Sequence, residues 1–569
     1  MLADQLLING QIYTMDARCP RASALAISGE RILAVGDAPS TSSGQAPSTS
    51  FPRRSLPRAK SRGSGQAGQA PSTSSGHSLH DLLAPGGKVL DLGGRCVLPG
   101  LTDSHIHFTW YAFGLREIDL SQTTTLGEVL ALVAERVRET KPGEWIRGRG
   151  WDQEQWPGHR FPTAVELDTV APEHPVVLIA KSGHALVANS LALQLANITA
   201  ETPDPAGGRI GRGADGHPNG MLFESSAIGL VTDIIPMPSS RKTDDAMREA
   251  FPNAWRVGLT SIHDVDDSPA FASFQRLHAR SELGLRVVKY LPASALDCIL
   301  ETELQAGLGD DWLRLGGIKV FTDGALGSRT AAMLAPLENI DERESGNVGI
   351  LTIEESELCE LVRKAVMGRL PLAIHAIGDR ANRMVLDVLT DNGGGGLRHR
   401  IEHAQLYHPD DLGRLAALGI VASMQPVHAT QDYEMADRYW GDRCATAYAW
   451  RSLLEAGTLL AFGSDCPVED LNPFLGIHAA VTRRRADGSP GPEGWYPEQR
   501  LTVEEAVHAY TLGAAQAVGL DDRLGSLAPG KLADLIVLNQ DIFACDPMDI
   551  LKTGVEATMI GGRFVYGGV

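Results

Sequence analysis

Two histidines stand one residue apart in the stretch GLTDSHIHF, residues 100–108. If this apolar stretch is a strand, His105 and His107 extend from the same face, because side chains two residues apart in a strand share a face. A single buried histidine is usually explained by a hydrogen bond, but two imidazoles that look into one space suit a metal ion. The spacing therefore predicts a metal-binding pair at the end of a buried strand.

Four more residues that could complete such a site follow other short apolar runs. They are Lys319 in GGIKVFTDG, His375 in LAIHAIGD, His403 in HRIEHAQ and Asp465 in LLAFGSD. Imidazole nitrogens together with a carboxylate suit Zn first, and also Mn, Fe or Co. The lysine has two interpretations: an ion pair with an acid such as Asp323, or reaction of its amine with CO2 to give a carbamate that bridges two cations.

The apolar runs that carry these residues alternate with longer amphipathic stretches. Eight runs end in a polar or ionisable residue: 100–108, 259–265, 285–291, 316–324, 372–379, 399–405, 420–426 and 459–465. Strand and helix alternation indicates a parallel sheet with right-handed crossovers. Eight such units predict an α/β fold, a (β/α)8 TIM barrel with its active site at the carboxyl ends of the strands. Strand alternation also predicts that Glu402 points away from His403, which excludes it as a direct metal ligand.

The rest of the chain predicts accessory parts around this barrel. Short β-rich runs with glycine turns predict a small β-sandwich built from both chain termini. Its parts are residues 1–36, 81–96 and 521–569, around a barrel at 97–520 that carries an inserted subdomain at about 108–255. The Ser/Pro/Gly/Arg-rich stretch 37–80 repeats APSTSSG and predicts a disordered low-complexity insertion in a hairpin loop of the sheet. A basic binding tail is the alternative for that stretch.

Composition limits the classes of partner. The 569 residues carry a formal net charge of −19, with 43% hydrophobic and 21% charged residues, which is typical of a globular protein and argues against nucleic-acid binding. The start MLADQLLINGQIYTM predicts no signal peptide, and no apolar run is long enough to predict a membrane span. Seven scattered cysteines without a CxxC motif argue against a disulfide framework and favour the cytoplasm. We expect a small-molecule substrate, and a homo-oligomer stays open.

The order HxH, Lys, His, His, Asp along eight strand ends resembles the amidohydrolase superfamily. The segments GWDQEQWP, SGHALVANSLAL, IKVFTDGALGSRTA, HAIGDRA, RIEHAQ and GSDCPVED resemble its amidohydrolase 3, or YtcJ-like, branch, which includes N-substituted formamide deformylases. The resemblance covers nearly the whole chain apart from about residues 37–80.

The resemblance implies one or two divalent metal ions at this site. For two ions it implies these ligands: His105, His107 and Asp465 for the more buried one, His375 and His403 for the second, and carboxylated Lys319 as the bridge. It implies attack of a metal-bound hydroxide on a carbonyl carbon, with Asp465 as the catalytic residue that takes up the proton and passes it to the departing nitrogen. The expected reaction cleaves a non-peptide C–N bond in an amide, an N-substituted formamide or a carbamate.

Seven residues are candidates for substrate contact because they follow barrel strands or lie in the insertion: Trp151, Asp152, His184, Asp323, Arg329, Gln425 and His428. Packing onto the barrel is the alternative for Trp151. An internal ion pair is the alternative for Asp323 and Arg329, and a capping, packing or other structural role for the rest.

Two other functions stay open at this point. One is a catalytically silent amidohydrolase-like regulatory or binding protein, although such a protein has no need of six metal-binding side chains. The other keeps the metal and changes the reaction to ester hydrolysis or decarboxylation, which a substrate panel would distinguish.

Overall fold

The structure is a computed structural model that describes residues 1–37, 79–340, 345–393 and 396–568. Apart from Asp37, Leu79 and His80, the predicted low-complexity insertion 37–80 lies outside the described residues, so its predicted disorder stays a prediction. Across the described ranges, no helix combines the length and the apolar character that crossing a membrane requires.

The N-terminal part of the chain forms short strands, in chain order β1 (Ala3–Ile8), β2 (Gln11–Tyr13), β3 (Arg21–Ala22), β4 (Ala24–Ser28), β5 (Arg31–Gly36), β6 (Leu83–Asp91) and β7 (Cys96–Pro99). Four of them make a sheet in the order β5-β4-β1-β6, in which β1 and β6 run parallel. Strands β5 and β6 are therefore the two edges of this sheet. The predicted hairpin position of the 37–80 stretch is wrong, because β6 pairs with β1 and not with β5.

Strand β8 (Leu101–Ile106) begins the barrel one residue after β7. The residue between them is Gly100, where a Cβ atom would lie 2.2 Å from Oγ1 of Thr260. Only glycine allows this close passage. The junction holds β8, and with it His105, at a set position relative to the terminal sheets.

An inserted subdomain follows β8 and the short helix α1 (Phe108–Gly114). Its strands are β9 (Ile118–Asp119), β10 (Ile146–Trp151), β11 (Val176–Ala180), β12 (Ala185–Ala188), β13 (Arg209–Arg212) and β14 (Pro218–Phe223), and its helices are α2 (Leu126–Glu139), α3 (Ala164–Asp168), α4 (Ser190–Leu195) and α5 (Glu224–Thr232). The sheet order is β13-β14-β12-β11-β10-β9. Apolar side chains from both faces of this sheet give the insertion cores of its own.

The barrel continues after helix α6 (Ser240–Arg256). Its other strands are β15 (Leu259–Asp264), β16 (Arg286–Pro292), β17 (Leu313–Phe321), β18 (Leu372–Ala376), β19 (Arg400–His403), β20 (Val421–Met424) and β21 (Leu460–Phe462). The helices among and after them are α7 (Ser268–Ala279), α8 (Leu296–Glu301), α9 (Glu355–Met367), α10 (Asp379–Asn392), α11 (Arg414–Leu418), α12 (Pro426–Trp440), α13 (Trp450–Glu455) and α14 (Pro473–Thr482).

The eight described strands of this sheet follow the order β21-β20-β19-β18-β17-β16-β15-β8, and the neighbours run parallel. The two ends of the sheet meet just beyond β21, where the N–H of Asp465 donates to the carbonyl of His105 at 2.8 Å and the N–H of His107 donates to the carbonyl of Cys466 at 2.9 Å. The predicted TIM barrel with an inserted subdomain is confirmed.

The C-terminal part returns to the terminal sheets through α15 (Val503–Ala509) and α16 (Leu512–Ala517), and then forms β22 (Leu535–Leu538), β23 (Val555–Ile560) and β24 (Arg563–Gly567). These strands extend a second sheet in the order β24-β23-β22-β7-β2-β3. Leu7 and Leu25 of the first sheet pack with Val97 and Leu535 of the second. The β-sandwich built from both chain termini is thus confirmed.

Candidate active site

The predicted metal ligands gather at one end of the barrel. His105 lies in β8 and His107 directly follows it, whereas Asp465 lies three residues beyond β21. Asp465 has a left-handed φ of 58°, a conformation that aspartate tolerates better than most residues. One of its oxygens, Oδ1, lies 3.5 Å from Nε2 of His105 and 3.5 Å from Nε2 of His107.

A second group of donors meets the other oxygen of the same carboxylate. Oδ2 of Asp465 lies 3.8 Å from Nε2 of His428 and 3.9 Å from Nδ1 of His403. Each of the two groups, His105 with His107 and Asp465, and His403 with His428 and Asp465, offers donor atoms within 4.8 Å of one another. The carboxylate of Asp465 therefore stands between two sets of imidazoles, one of which includes a residue proposed from the sequence as a substrate contact.

His375 joins the cluster of rings but not these two donor groups. Its ring centroid lies 4.5 Å from that of His403, whereas its Nε2 lies 3.1 Å from the carbonyl of Gly324 and 3.4 Å from Oδ1 of Asp323. Both His375 and His428 thus lie near His403, but His428, rather than His375, is the one whose ring nitrogen lies within 4.0 Å of Asp465.

Lys319 points its ammonium into the barrel interior. Nζ has no hydrogen-bond partner among the described residues and lies 4.7 Å from the ring centroid of Phe321. The alternative ion pair with Asp323 is absent from the described contacts, since that carboxylate accepts hydrogen bonds from the backbone N–H groups of Ala332, Ile377 and Gly378.

Four buried polar atoms of the cluster fit a metal site. Nε2 of His105, Nδ1 of His375, Nε2 of His428 and Nζ of Lys319 have no hydrogen-bond partner among the described residues. Leaving a buried polar atom unsatisfied costs ~1–3 kcal/mol, so several at one place need a ligand of their own. Imidazole and carboxylate donors are those that Zn, Mn, Fe and Co accept.

Residues behind the histidines hold their rings in place. Nδ1 of His107 lies 3.0 Å from Asp266, which also accepts from the backbone N–H groups at the start of α1. Nδ1 of His403 lies 2.8 Å from Oε1 of Gln425. At His107 this partner sets the tautomer and turns Nε2 toward Asp465. At His403 the nitrogen beside Gln425 is also the one that lies 3.9 Å from Asp465, so Gln425 fixes the ring without freeing that nitrogen.

Glu402 supports His105 in the same way, with its carboxylate on Nδ1 of that ring. The buried guanidinium of Arg400 donates to Glu402 at 2.5 Å from Nε and 3.0 Å from Nη2. Strand alternation predicted that Glu402 turns away from His403, yet both side chains reach His105, whose ring centroid is 4.8 Å from that of His403. The regular strand ends at His403, where φ is +69°, so alternation does not extend to this residue.

Burial sets the charge of these groups. It holds the pKa values of His105, His375 and His403 well below the ordinary range of histidine, so the rings are neutral and their lone pairs are free for a metal. Burial raises the pKa of Asp465 to about 6, although His107 opposes the shift. Burial also lowers the pKa of Lys319 to about 8.

A cleft of about 660 Å³, including its open mouth, lies between the barrel end and the insertion. His184 reaches it from the insertion, with its ring centroid 5.0 Å from that of His375. Nδ1 of His184 lies 2.7 Å from the buried Glu224. Burial lowers the pKa of His184, but the charge and hydrogen bond of Glu224 outweigh it and the net pKa is raised.

The other predicted substrate contacts are distributed unevenly. Trp151 and Asp152 line the cleft, although Trp151 is fully buried and donates from Nε1 to the carbonyl of Leu178 at 2.8 Å. Asp323 accepts hydrogen bonds from the backbone N–H groups of Ile377 and Gly378, and Oε1 of Gln425 lies 2.8 Å from Nδ1 of His403. Arg329 pairs with Glu154 at 2.8 Å, which matches the internal ion pair considered for it.

Sequence reasoning did not identify several residues that shape the site. The supporting carboxylates Asp266 and Glu224 carried no motif of their own, although Asp266 stands near a barrel strand end and Glu224 begins a helix of the insertion. Glu402 lies in the quoted segment RIEHAQ and was excluded as a ligand, but its support of His105 was not predicted. The cleft wall adds Lys181, Gln405, Asp432 and Glu469. Gln405 and Glu469 lie within the quoted segments RIEHAQ and GSDCPVED. The signal for Asp432 was its spacing four residues after His428, because residues four apart share a helix face.

A family model described as the amidohydrolase family matches residues 88–566. Protein LONG AFTER FAR-RED 3 of Arabidopsis thaliana is 34% identical over 100% of this chain and 92% of its own length. The putative amidohydrolase YtcJ of Bacillus subtilis is 33% identical over 85% of this chain and 91% of its own length. The N-substituted formamide deformylase of Arthrobacter pascens is 29% identical over 99% of this chain and 98% of its own length.

A solved structure agrees with these relatives. The crystal structure of an uncharacterized metal-dependent hydrolase from Pyrococcus horikoshii OT3 superposes with a TM-score of 0.73 at 27% identity, over 95% of this chain and 99% of that one. The resemblance to the YtcJ-like branch, stated from sequence motifs, is confirmed. The chain belongs to the amidohydrolase family.

Proposed function

We propose that this protein is a metal-dependent hydrolase of a non-peptide C–N bond in an amide, an N-substituted formamide or a carbamate. The observation that carries the proposal is the pair of donor groups that share Asp465 at the floor of an open cleft. The name of the Arthrobacter relative, an N-substituted formamide deformylase, supports the choice of bond. The solved Pyrococcus structure, named a metal-dependent hydrolase, supports the need for a metal.

We assign His105, His107 and Asp465 to one divalent ion, with Zn as the first choice. His403, with His428 or His375, would hold a second ion. When bound, such an ion lowers the pKa of water and polarises a carbonyl group.

Asp465 is the proposed proton carrier. Its carboxylate stands between the donor groups and faces the cleft, so it can accept a proton from the attacking water and return it to the departing nitrogen. A substrate carbonyl in the cleft also meets His184, which Glu224 holds at 2.7 Å. We assign His184 the role of hydrogen-bond donor to the substrate.

Lys319 is proposed to be carboxylated. Its neutral amine attacks CO2, which forms the N–C bond of a carbamate and releases one proton. Because burial lowers the pKa of this amine to about 8, more of the neutral form exists near neutral pH than for an exposed lysine. Nζ has no hydrogen-bond partner among the described residues, so no hydrogen bond would have to be broken for the carbamate to form.

Elemental mass spectrometry on the purified protein tests the proposal, together with a turnover panel of formamides, acylated amines and carbamates. We expect one or two Zn, Mn, Fe or Co per chain and hydrolysis of at least one panel class. The double variant His105→Ala with His107→Ala should lose the metal and the turnover while it keeps its fold.

The matched control is His278→Ala with His408→Ala, two histidines whose side chains are 36% and 40% exposed away from the cleft. This control should keep both metal and activity. A folded wild-type protein that stays metal-free after incubation with metal and bicarbonate would overturn the proposal and favour the silent regulator. Turnover of esters alone would favour the esterase alternative.

A further inference from the structure

Four half-buried charged side chains line the cleft beside the histidines of the barrel floor, and we call this group the wall. Asp152 follows β10, Lys181 follows β11, Asp432 lies in α12 and Glu469 lies in the loop beyond β21, and all four line the cleft. Three carboxylates and one ammonium leave this wall with an excess of negative charge. None of these residues belongs to the donor groups around Asp465.

The internal contacts of the wall neutralise one carboxylate only. Lys181 Nζ pairs with Glu469 Oε1 at 2.7 Å. Asp152 accepts a hydrogen bond from the N–H of Glu154 at 3.0 Å, and Asp432 accepts one from the hydroxyl of Tyr448 at 2.8 Å. Within the described ranges, no basic nitrogen lies within 4.0 Å of the carboxylates of Asp152 and Asp432. Asp152 and Asp432 thus face the cleft without an ion-pair partner within 4.0 Å, and Lys181 attracts both carboxylates only from a longer distance.

A neutral side chain in the same cleft also lacks a donor. Gln405 is only 3% exposed, and its Oε1 has no hydrogen-bond partner among the described residues. Its Nε2 is already engaged with Nδ1 of His428 at 3.1 Å. A buried acceptor of this kind needs an N–H or O–H group from a ligand, because leaving it unsatisfied is unfavourable.

The arrangement suits an organic cation better than a second kind of metal site. The oxygens of Asp152, Asp432 and Glu469 do not form a group within 4.8 Å of one another, as the donors around Asp465 do. Carboxylate oxygens that are separated in this way can each accept a hydrogen bond from a different N–H group of an ammonium or guanidinium. An anionic ligand would have to compete with Glu469 for Lys181.

We propose that this wall is a subsite for a cationic group, an alkylammonium or a guanidinium, on the substrate. His428 and Asp432 are one turn apart on α12, and His428 lies 3.8 Å from Asp465. The cation therefore binds about one helical pitch, ~5 Å, from the histidines of the barrel floor. This inference rests on the proposed function, and it narrows the substrate to an amide or formamide with a positive charge several bonds from the scissile carbonyl.

Three methanesulfonamides that are not hydrolysed test the subsite by calorimetry on the metal-loaded protein. They share the sulfonamide and a five-carbon chain and end in an ammonium, a methyl or a carboxylate. We expect the ammonium compound to bind about tenfold or more tightly than the methyl compound, as a charge-assisted hydrogen bond provides. The carboxylate compound should bind no more tightly than the methyl compound.

The variant Asp152→Asn with Asp432→Asn should abolish this preference, and Asp432→Asn alone should reduce it if the double variant does not fold. Glu434→Gln is the matched control, because Glu434 lies on the same helix with a side chain that is 57% exposed. Equal binding of the three compounds, tightest binding of the carboxylate, or a preference that is undiminished in Asp432→Asn would overturn the subsite.

Turnover separates the two proposals. If the ammonium preference holds while no formamide or amide is hydrolysed, the subsite stands and the proposed function fails. If N-formylpentylamine and its ammonium-bearing counterpart are hydrolysed with equal kcat/KM and bind equally, the hydrolase stands and the subsite is wrong.

Discussion

The floor of the cleft and its wall are built on different principles. On the floor, His105, His107 and His403 come from strand ends, are largely buried, and each has a supporting residue on one ring nitrogen. On the wall, Asp152 and Asp432 are half-buried and have no cation within 4.0 Å in the described part of the chain. The floor is thus preorganised by the barrel itself, whereas the wall depends on how the insertion and the loops lie over it. We therefore propose that the floor carries the chemistry and that the wall selects the substrate.

Asp465→Asn should have the largest effect on turnover, and it should leave the wall unchanged. The amide cannot take up and return a proton and is a poorer ligand, so we expect kcat to fall by at least about 10³-fold. Far-UV circular dichroism and the unfolding midpoint should stay close to the wild type, since the carboxylate carries no structural ion pair with Lys or Arg. Undiminished turnover would show that the assigned role is wrong.

Asp266→Asn tests whether the supporting residues matter to the floor. The amide can still accept from the N–H groups of α1, but it no longer presents a negative charge to His107. Loss of such an outer partner weakens metal affinity by about 10–100-fold. Competition with a chelator measures the change, with Glu434→Gln as the control. An unchanged affinity would mean that the backbone alone positions His107.

His184→Asn should separate the two regions most directly. Because the side chain comes from the insertion and lies outside the donor groups of Asp465, the metal content should not change. Loss of a charge-assisted hydrogen bond to the substrate should lower kcat/KM by about tenfold. Glu224→Gln should reproduce part of this loss through the same ring. A drop in metal content in either variant would show that His184 contributes to metal binding.

Asp432→Asn should produce the smallest effect, a gain in stability that depends on pH. Burial raises the pKa of Asp432 to about 7, so between about pH 4 and pH 7 the native state holds this proton more tightly than the unfolded chain does. The contribution of Asp432 to stability therefore falls as the pH rises through that window. Removing the charge should stabilise the protein by ~1–3 kcal/mol at pH 8 and by almost nothing at pH 4.

Unfolding midpoints of wild type and variant across this pH range measure the effect, with Glu434→Gln as the reference. A variant that is destabilised at pH 8, or a difference that does not change with pH, would contradict the idea that the wall is under charge strain in the absence of a cation.

Much of the floor was predictable from the sequence. The apolar runs that end at His105, His375 and His403 are short enough to be strands, and each is one. Strand and helix alternation predicts that these strands run in the same direction, so the sequence alone predicts that their carboxyl ends converge. The position of 37–80 was not predictable in the same way, because sheet order depends on which strands pair across the whole sandwich.

The sequence by itself determined which residue types stand at the barrel strand ends, because apolar periodicity and strand order are local properties of the chain. Only the tertiary structure decided that His428 rather than His375 faces Asp465 and that Glu402 reaches His105. It also decided that Asp152 and Asp432, 280 residues apart in the chain, line one wall. The physical reason is that such contacts depend on side-chain direction and on the fold of a long insertion over the barrel, and neither has a signal in neighbouring residues.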